Sequence, residues 1–133
     1  MAQKDIHQYK KQTDVDTVPF LSAEDAWFWF VQAQKAKNDG ARFSMGQGNV
    51  VRPCEPLDIL RVVDRLYRQR RLLMDHLRVL KFYGWRQLPP DCNRIKEMKA
   101  SRLWDEALDR IETVLIKKNI VAPPHILCLE AAE

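Results

Sequence analysis

Paired metal-binding or redox cysteines are missing from this chain. Cys54, Cys92 and Cys128 are odd in number and far apart, and no C-x-x-C occurs. A structural zinc site draws on four ligands, usually in two close pairs. No metal is therefore expected, and the cysteines read as free thiols in a reducing compartment. Long apolar runs are missing too. The longest, Ala26 to Val31, spans six residues, against about 20 for a bilayer-crossing helix. No membrane segment is expected. The opening MAQKDIHQYKKQTDVDT has no apolar stretch of the kind that signal peptides carry. A cytoplasmic location is the expectation.

Catalytic signatures are equally scarce. The only G-x-G, Gly46-Gln-Gly48, has no strand–helix context and no Gly-Lys-Ser/Thr after it. Neither a zincin motif nor a nucleophile elbow occurs. Nothing in the spacing brings His76 to Cys54 or Cys92 as a base for a thiol nucleophile, and His76 reads as an exposed or partly packed helix residue. Glu24 with Asp25, and Asp105 with Glu106, are neighbours on helices and so point in different directions, unlike an acid/base pair. The expectation is a protein that is not an enzyme and uses no cofactor.

What is there suits one small helical domain. The chain has 133 residues, 46% of them apolar, with four Trp and five Phe to anchor a core. Residues 1–18 are polar and aperiodic and read as a flexible tail. Residues 19–133 read as a single all-α domain, a compact bundle of about four helices. The first starts at Ser22, where Ser22-Ala-Glu-Asp25 has the form of a capping box, and stops near Gly40. A small hairpin over 42–52 is expected around Met45-Gly-Gln-Gly-Asn49. The second helix runs from Pro56, suited to a first helical position, to about Arg70. Ile59, Val63 and Leu66 form its core side, flanked by Leu60, Val62 and Tyr67. The third spans Leu73 to Tyr83 and ends at Gly84. Leu88-Pro-Pro-Asp91 is a turn. Asn93 to Lys118 follows as one long helix or as two, carrying Leu103, Ala107, Ile111 and Val114, with Trp104, Leu108 and Leu115 widening the stripe. Asn119 suits a left-handed cap, with Ile120 folding back as its apolar contact. The closing HILCLEAAE is apolar enough to pack or to add a brief strand.

Charge is segregated along this framework. Residues 52–102 hold thirteen Lys and Arg against six Asp and Glu, an excess of +7, whereas residues 1–51 balance at zero and residues 103–133 at −3. Clustered cations favour a polyanionic partner because they release counterions on meeting phosphates. The candidate phosphate-facing set is Arg61, Arg65, Arg68, Arg70 and Arg71, extended by Arg78, Lys81 and Arg86. Arg94, Lys96, Lys99 and Arg102 lengthen it. The competing reading is a solvated helix surface, with Asp58–Arg61 and Asp64–Arg68 spaced to pair. Trp27, Phe28, Trp29 and Phe30 occupy consecutive positions around the first helix. They read as core anchors; otherwise Trp27, Trp29 and Phe30 form an aromatic hot spot for a protein partner. Trp85 is a core residue or a platform for stacking a base.

His76-Leu-Arg-Val-Leu-Lys-Phe-Tyr-Gly84 resembles the first helix of the helix-turn-helix in region 4 of bacterial sigma factors and related phage regulators. Ile95, Arg102-Leu103 and Ile111-Glu112 loosely follow the same order, so the resemblance covers residues 73–118. Pro89-Pro90 departs from it. The resemblance implies DNA binding, transcription regulation, and a break near Ala100-Ser101 that would set off Arg102 to Lys118 as a recognition helix. That helix would carry Asp105, Glu106, Asp109 and Glu112, an acidic set unsuited to a major groove. Taken together, the leading expectation is a helical regulator that binds nucleic acid, DNA foremost, through an arginine-rich helical surface. The rival is an adaptor that binds a protein through its aromatic first helix or acidic last helix, with the basic surface meeting an acidic partner.

Overall fold

The computed structural model describes residues 17–40 and 51–123. Most of the expected tail and hairpin, and the closing HILCLEAAE, lie outside the described residues. Among those described, four α-helices form the all-α bundle: α1 (Ala23–Asn38), α2 (Pro56–Arg68), α3 (Met74–Arg86) and α4 (Met98–Lys117), with a 3-10 turn at Ile95–Glu97 leading into α4.

Local chemistry accounts for most helix ends. Ser22 Oγ accepts the Asp25 backbone N–H at 3.2 Å, and Glu112 of α4 accepts that of Ala23 at 2.9 Å. Gly40, at φ 78°, follows α1 in the left-handed region. Pro56 opens α2, and Asp58 accepts the Glu55 N–H at 2.9 Å. Asn119 is left-handed at φ 63°, and Ile120 folds back, donating its N–H to the Leu115 carbonyl at 2.9 Å with its side chain buried.

Three boundaries differ from the sequence reading. Helix α2 stops at Arg68, because Arg70 turns left-handed at φ 62° and the Arg71 N–H returns to the Leu66 carbonyl at 2.8 Å. Helix α3 does not end at Gly84 but passes through it to Arg86, with Gln87 as the left-handed stop at φ 59°. Gly84 faces α1: a Cβ there would stand 2.5 Å from Trp27 Nε1 and 3.1 Å from Val31 Cγ2. The residue is a notch for a close helix crossing, not a terminator. Helix α4 starts at Met98 and continues unbroken through Ala100 and Ser101. The chain thus supplies no separate recognition helix at Arg102.

The core joins Phe20, Trp27, Phe30, Ile59, Val63, Leu66, Leu80, Trp104, Ile111 and Leu115 from all four helices and the segment before α1. Burying each such side chain stabilises the fold by about 1.5–3 kcal/mol. That leading segment is pinned at both ends. The Val18 N–H donates to Val51 (2.8 Å), and Phe20 exchanges bonds with Ile120 and Ala122 (both 2.9 Å). These form parallel bridges Thr17–Val51 and Phe20–Val121, so Thr17 and Val18 belong to the fold and not to the expected tail.

Candidate functional site

Eight of the predicted cations sit on the hairpin of α2 and α3, whereas Arg94 and Lys96 lie before α4 and Lys99 and Arg102 within it. From Pro56 to Arg86 it carries eight Lys and Arg against three Asp. All eight cations are exposed. Each Asp is engaged by an arginine of its own helix: Arg61 with Asp58 at 3.2 Å, Arg68 with Asp64 at 3.1 Å and Arg78 with Asp75 at 3.4 Å. These arginine side chains remain 73–77% exposed, and such pairs are worth only about 0.3–0.5 kcal/mol. Arg65, Arg70 and Lys81 make no ion pair among the described residues. Arg110 of α4 donates to the Arg71 carbonyl at 3.1 Å, tying the α2–α3 turn to α4. The Arg86 guanidinium lies 5.4 Å from the Phe82 ring centroid.

Packing gathers part of this set. Arg61, Arg65 and Asp58 of α2, with Gln69 just past its end, line a groove of about 550 Å³ together with Lys118, just past α4. Lys118 lies outside the cation set expected from the sequence; its meeting with α2 depends on tertiary packing. Cys54 also lines this groove. Burial, reinforced by Asp58 and Glu55, pushes its thiol up to about 12. It stays protonated at neutral pH and is a poor nucleophile.

A second groove, of about 350 Å³, lies between α1, α2 and α3. Trp27, Phe30 and Val31 of α1 contribute to it, with Leu60, Val63 and Tyr67 of α2 and Leu77, Leu80 and Trp85 of α3. Gln34, Asp64 and Lys81 are its polar lining residues. Trp27 and Phe30 are each only 6% exposed, and the Trp27 indole N–H donates to the Leu80 carbonyl at 2.9 Å. Trp29 is half-buried and packs its ring 5.1 Å from that of Phe20. The three aromatic candidates therefore do not form one exposed patch. Trp85 is 44% exposed, and Lys35 fixes it by donating to its carbonyl at 3.0 Å with Nζ 5.5 Å from its ring centroid.

His76 departs from the sequence reading: it is buried. Its Nδ1 accepts the Leu73 N–H at 3.0 Å, capping α3, and its Nε2–H donates to Glu106 of α4 at 3.0 Å. That hydrogen bond holds the Glu106 carboxyl below the usual glutamate range. The imidazole is thus a structural clamp between α3 and α4. Among the described residues, no group of three His, Cys, Asp or Glu side chains is placed to hold a metal ion, and no helix is long and apolar enough to cross a membrane.

Searches with this chain and its fold matched no family model, no curated protein and no solved structure.

Proposed function

We propose that this protein binds nucleic acid, duplex DNA foremost, through the α2–α3 hairpin, and that it acts as a regulatory DNA-binding protein. The observation that carries the proposal is the hairpin's charge: eight exposed cations against three carboxylates between Pro56 and Arg86. The three ion pairs are local and solvent-exposed, so exchanging a carboxylate for a phosphate costs little. Arginine suits the exchange because its planar fork bonds two phosphate oxygens at once. Arg61 and Arg65 of α2 and Lys118, just past α4, offer a phosphate three charges around one groove. Because α4 is one unbroken helix with no separate recognition segment, its four Lys and Arg balanced by four Asp and Glu, the contact is made mainly to the phosphate backbone. Affinity should depend steeply on salt and weakly on base sequence.

The test is fluorescence anisotropy with a labelled duplex of about 20 base pairs at salt from about 50 to 200 mM. Reversing Arg61, Arg65 and Lys118 to Glu should reduce the log–log salt slope by at least about 0.9 per lost phosphate contact, close to 3 in all. Absence of binding at the lowest salt, or an unchanged slope in the triple variant, refutes the proposal.

A further inference from the structure

The groove between α1, α2 and α3 is unlike the rest of the surface. Leu60 and Tyr67 are each 39% exposed and Trp85 is 44% exposed, yet all three line one concavity. Their spacing explains the shape. Leu60, Val63 and Tyr67 recur at i, i+3 and i+7 along α2, and Leu77, Lys81 and Trp85 at i, i+4 and i+8 along α3. Each helix therefore presents a ridge, and the furrow between them has the form that a third helix fills. A volume of about 350 Å³ holds about three leucine-sized side chains, the number that one helix face inserts when it docks by anchors one turn apart.

Charge then selects the kind of helix. Lys81 lines the groove and Lys35 lies against Trp85. The lone acidic lining residue, Asp64, is already held by Arg68 at 3.1 Å. The rim is therefore cationic around an apolar floor. We infer that this groove docks an amphipathic helix of a partner protein, with large apolar residues on one face and Asp or Glu along its flanks. Concavity distinguishes this occupant from a lipid surface, since a flat bilayer does not reach the nearly buried Trp27 and Phe30. A second copy does not offer α4 as such a helix: its charges balance, and its apolar stripe, Trp104, Ala107, Leu108, Ile111 and Leu115, is already buried. The inference does not rest on nucleic-acid binding, although Lys81 lines this groove and also belongs to the proposed phosphate-facing set.

The probe is a synthetic helical peptide with leucines one turn apart and Glu on the flanks, compared with a twin carrying Lys at the same flanking positions. Binding is read by peptide anisotropy and by the fluorescence of the intact protein's tryptophans. The Glu peptide should bind at least about tenfold more tightly than its twin. Lys81→Glu should narrow or invert that preference. Leu60→Gln and Tyr67→Ser alter exposed side chains, and circular dichroism should show both variants folded. Each should weaken the Glu peptide by about tenfold, the cost of removing one anchor. The inference is overturned by no saturable binding up to about 1 mM, by equal affinity for the two peptides, or by affinity unchanged in folded Leu60→Gln and Tyr67→Ser. Tighter binding to phosphatidylserine vesicles than to the Glu peptide, or self-association that Leu60→Gln abolishes, would also overturn it by naming a different occupant.

Discussion

Replacing Gly84 with alanine sets two physical effects against each other. Helix propensity alone makes Gly84→Ala stabilising by about 1 kcal/mol, because Gly84 sits inside α3 and not at its end. Packing opposes this. The new Cβ would stand 2.5 Å from Trp27 Nε1 and 3.2 Å from Trp27 Cδ1, where nonbonded carbon atoms normally keep about 3.5–4.0 Å. Trp27 is 6% exposed and has little room to retreat. Moving it strains the core by about 1–3 kcal/mol. Moving it also breaks the indole bond to Leu80, leaving a buried donor unpaired at about 1–3 kcal/mol. After the propensity gain, the expected net loss is about 1–5 kcal/mol. For a domain of this size that lowers Tm by about 4–18 °C. Urea and thermal unfolding measure it directly. Adding Trp27→Phe, which removes Nε1, should recover part of the loss, so the double variant is more stable than additivity predicts. A Gly84→Ala protein as stable as the parent, or more so, would refute the close crossing of α1 and α3.

Glu106→Gln tests the His76 clamp, since the amide oxygen still accepts from Nε2–H but no longer titrates. The folded-state pKa of Glu106 is depressed, so its stabilising contribution is present above the unfolded value of about 4.3 and is lost as pH falls through the lower folded value. The variant should therefore be less stable than the parent at neutral pH, with the gap closing in acid; a gap constant from neutral to about pH 3 refutes the linkage. Thiol labelling with iodoacetamide, followed by peptide mass spectrometry, should modify exposed Cys92 well before Cys54, whose thiol is pushed up to about 12. Equal rates would contradict the burial of Cys54.

Features set by near neighbours in the chain were legible in the sequence. The Asn119 cap with its Ile120 return, the Ser22 start, Pro56 at the head of α2, and the Asp58–Arg61 and Asp64–Arg68 pairs all act within one or two turns. What distant segments decide was not legible. Gly84 has the composition of a stop signal, and only Trp27, on another helix, makes it a notch. His76 looked exposed because its second partner, Glu106, lies on α4. The candidate site divides in the same way. The arginines of the hairpin were readable as a charged run, but the meeting of Arg61 and Arg65 with Lys118 was not. Leu60 and Tyr67 flanked a core stripe in sequence; only the approach of α3 makes them the wall of a groove.

The segment before α1 has a mechanical consequence. Phe20 and Val121 run side by side in the same direction, joined by two backbone hydrogen bonds of 2.9 Å. Tension applied through residue 17 at one end and residue 123 at the other would pull these two strips lengthwise past each other. Both bonds would then bear the load together, in shear, instead of opening in turn like a zip. The four helices are thereby shielded from strain arriving along the chain until that seam gives way.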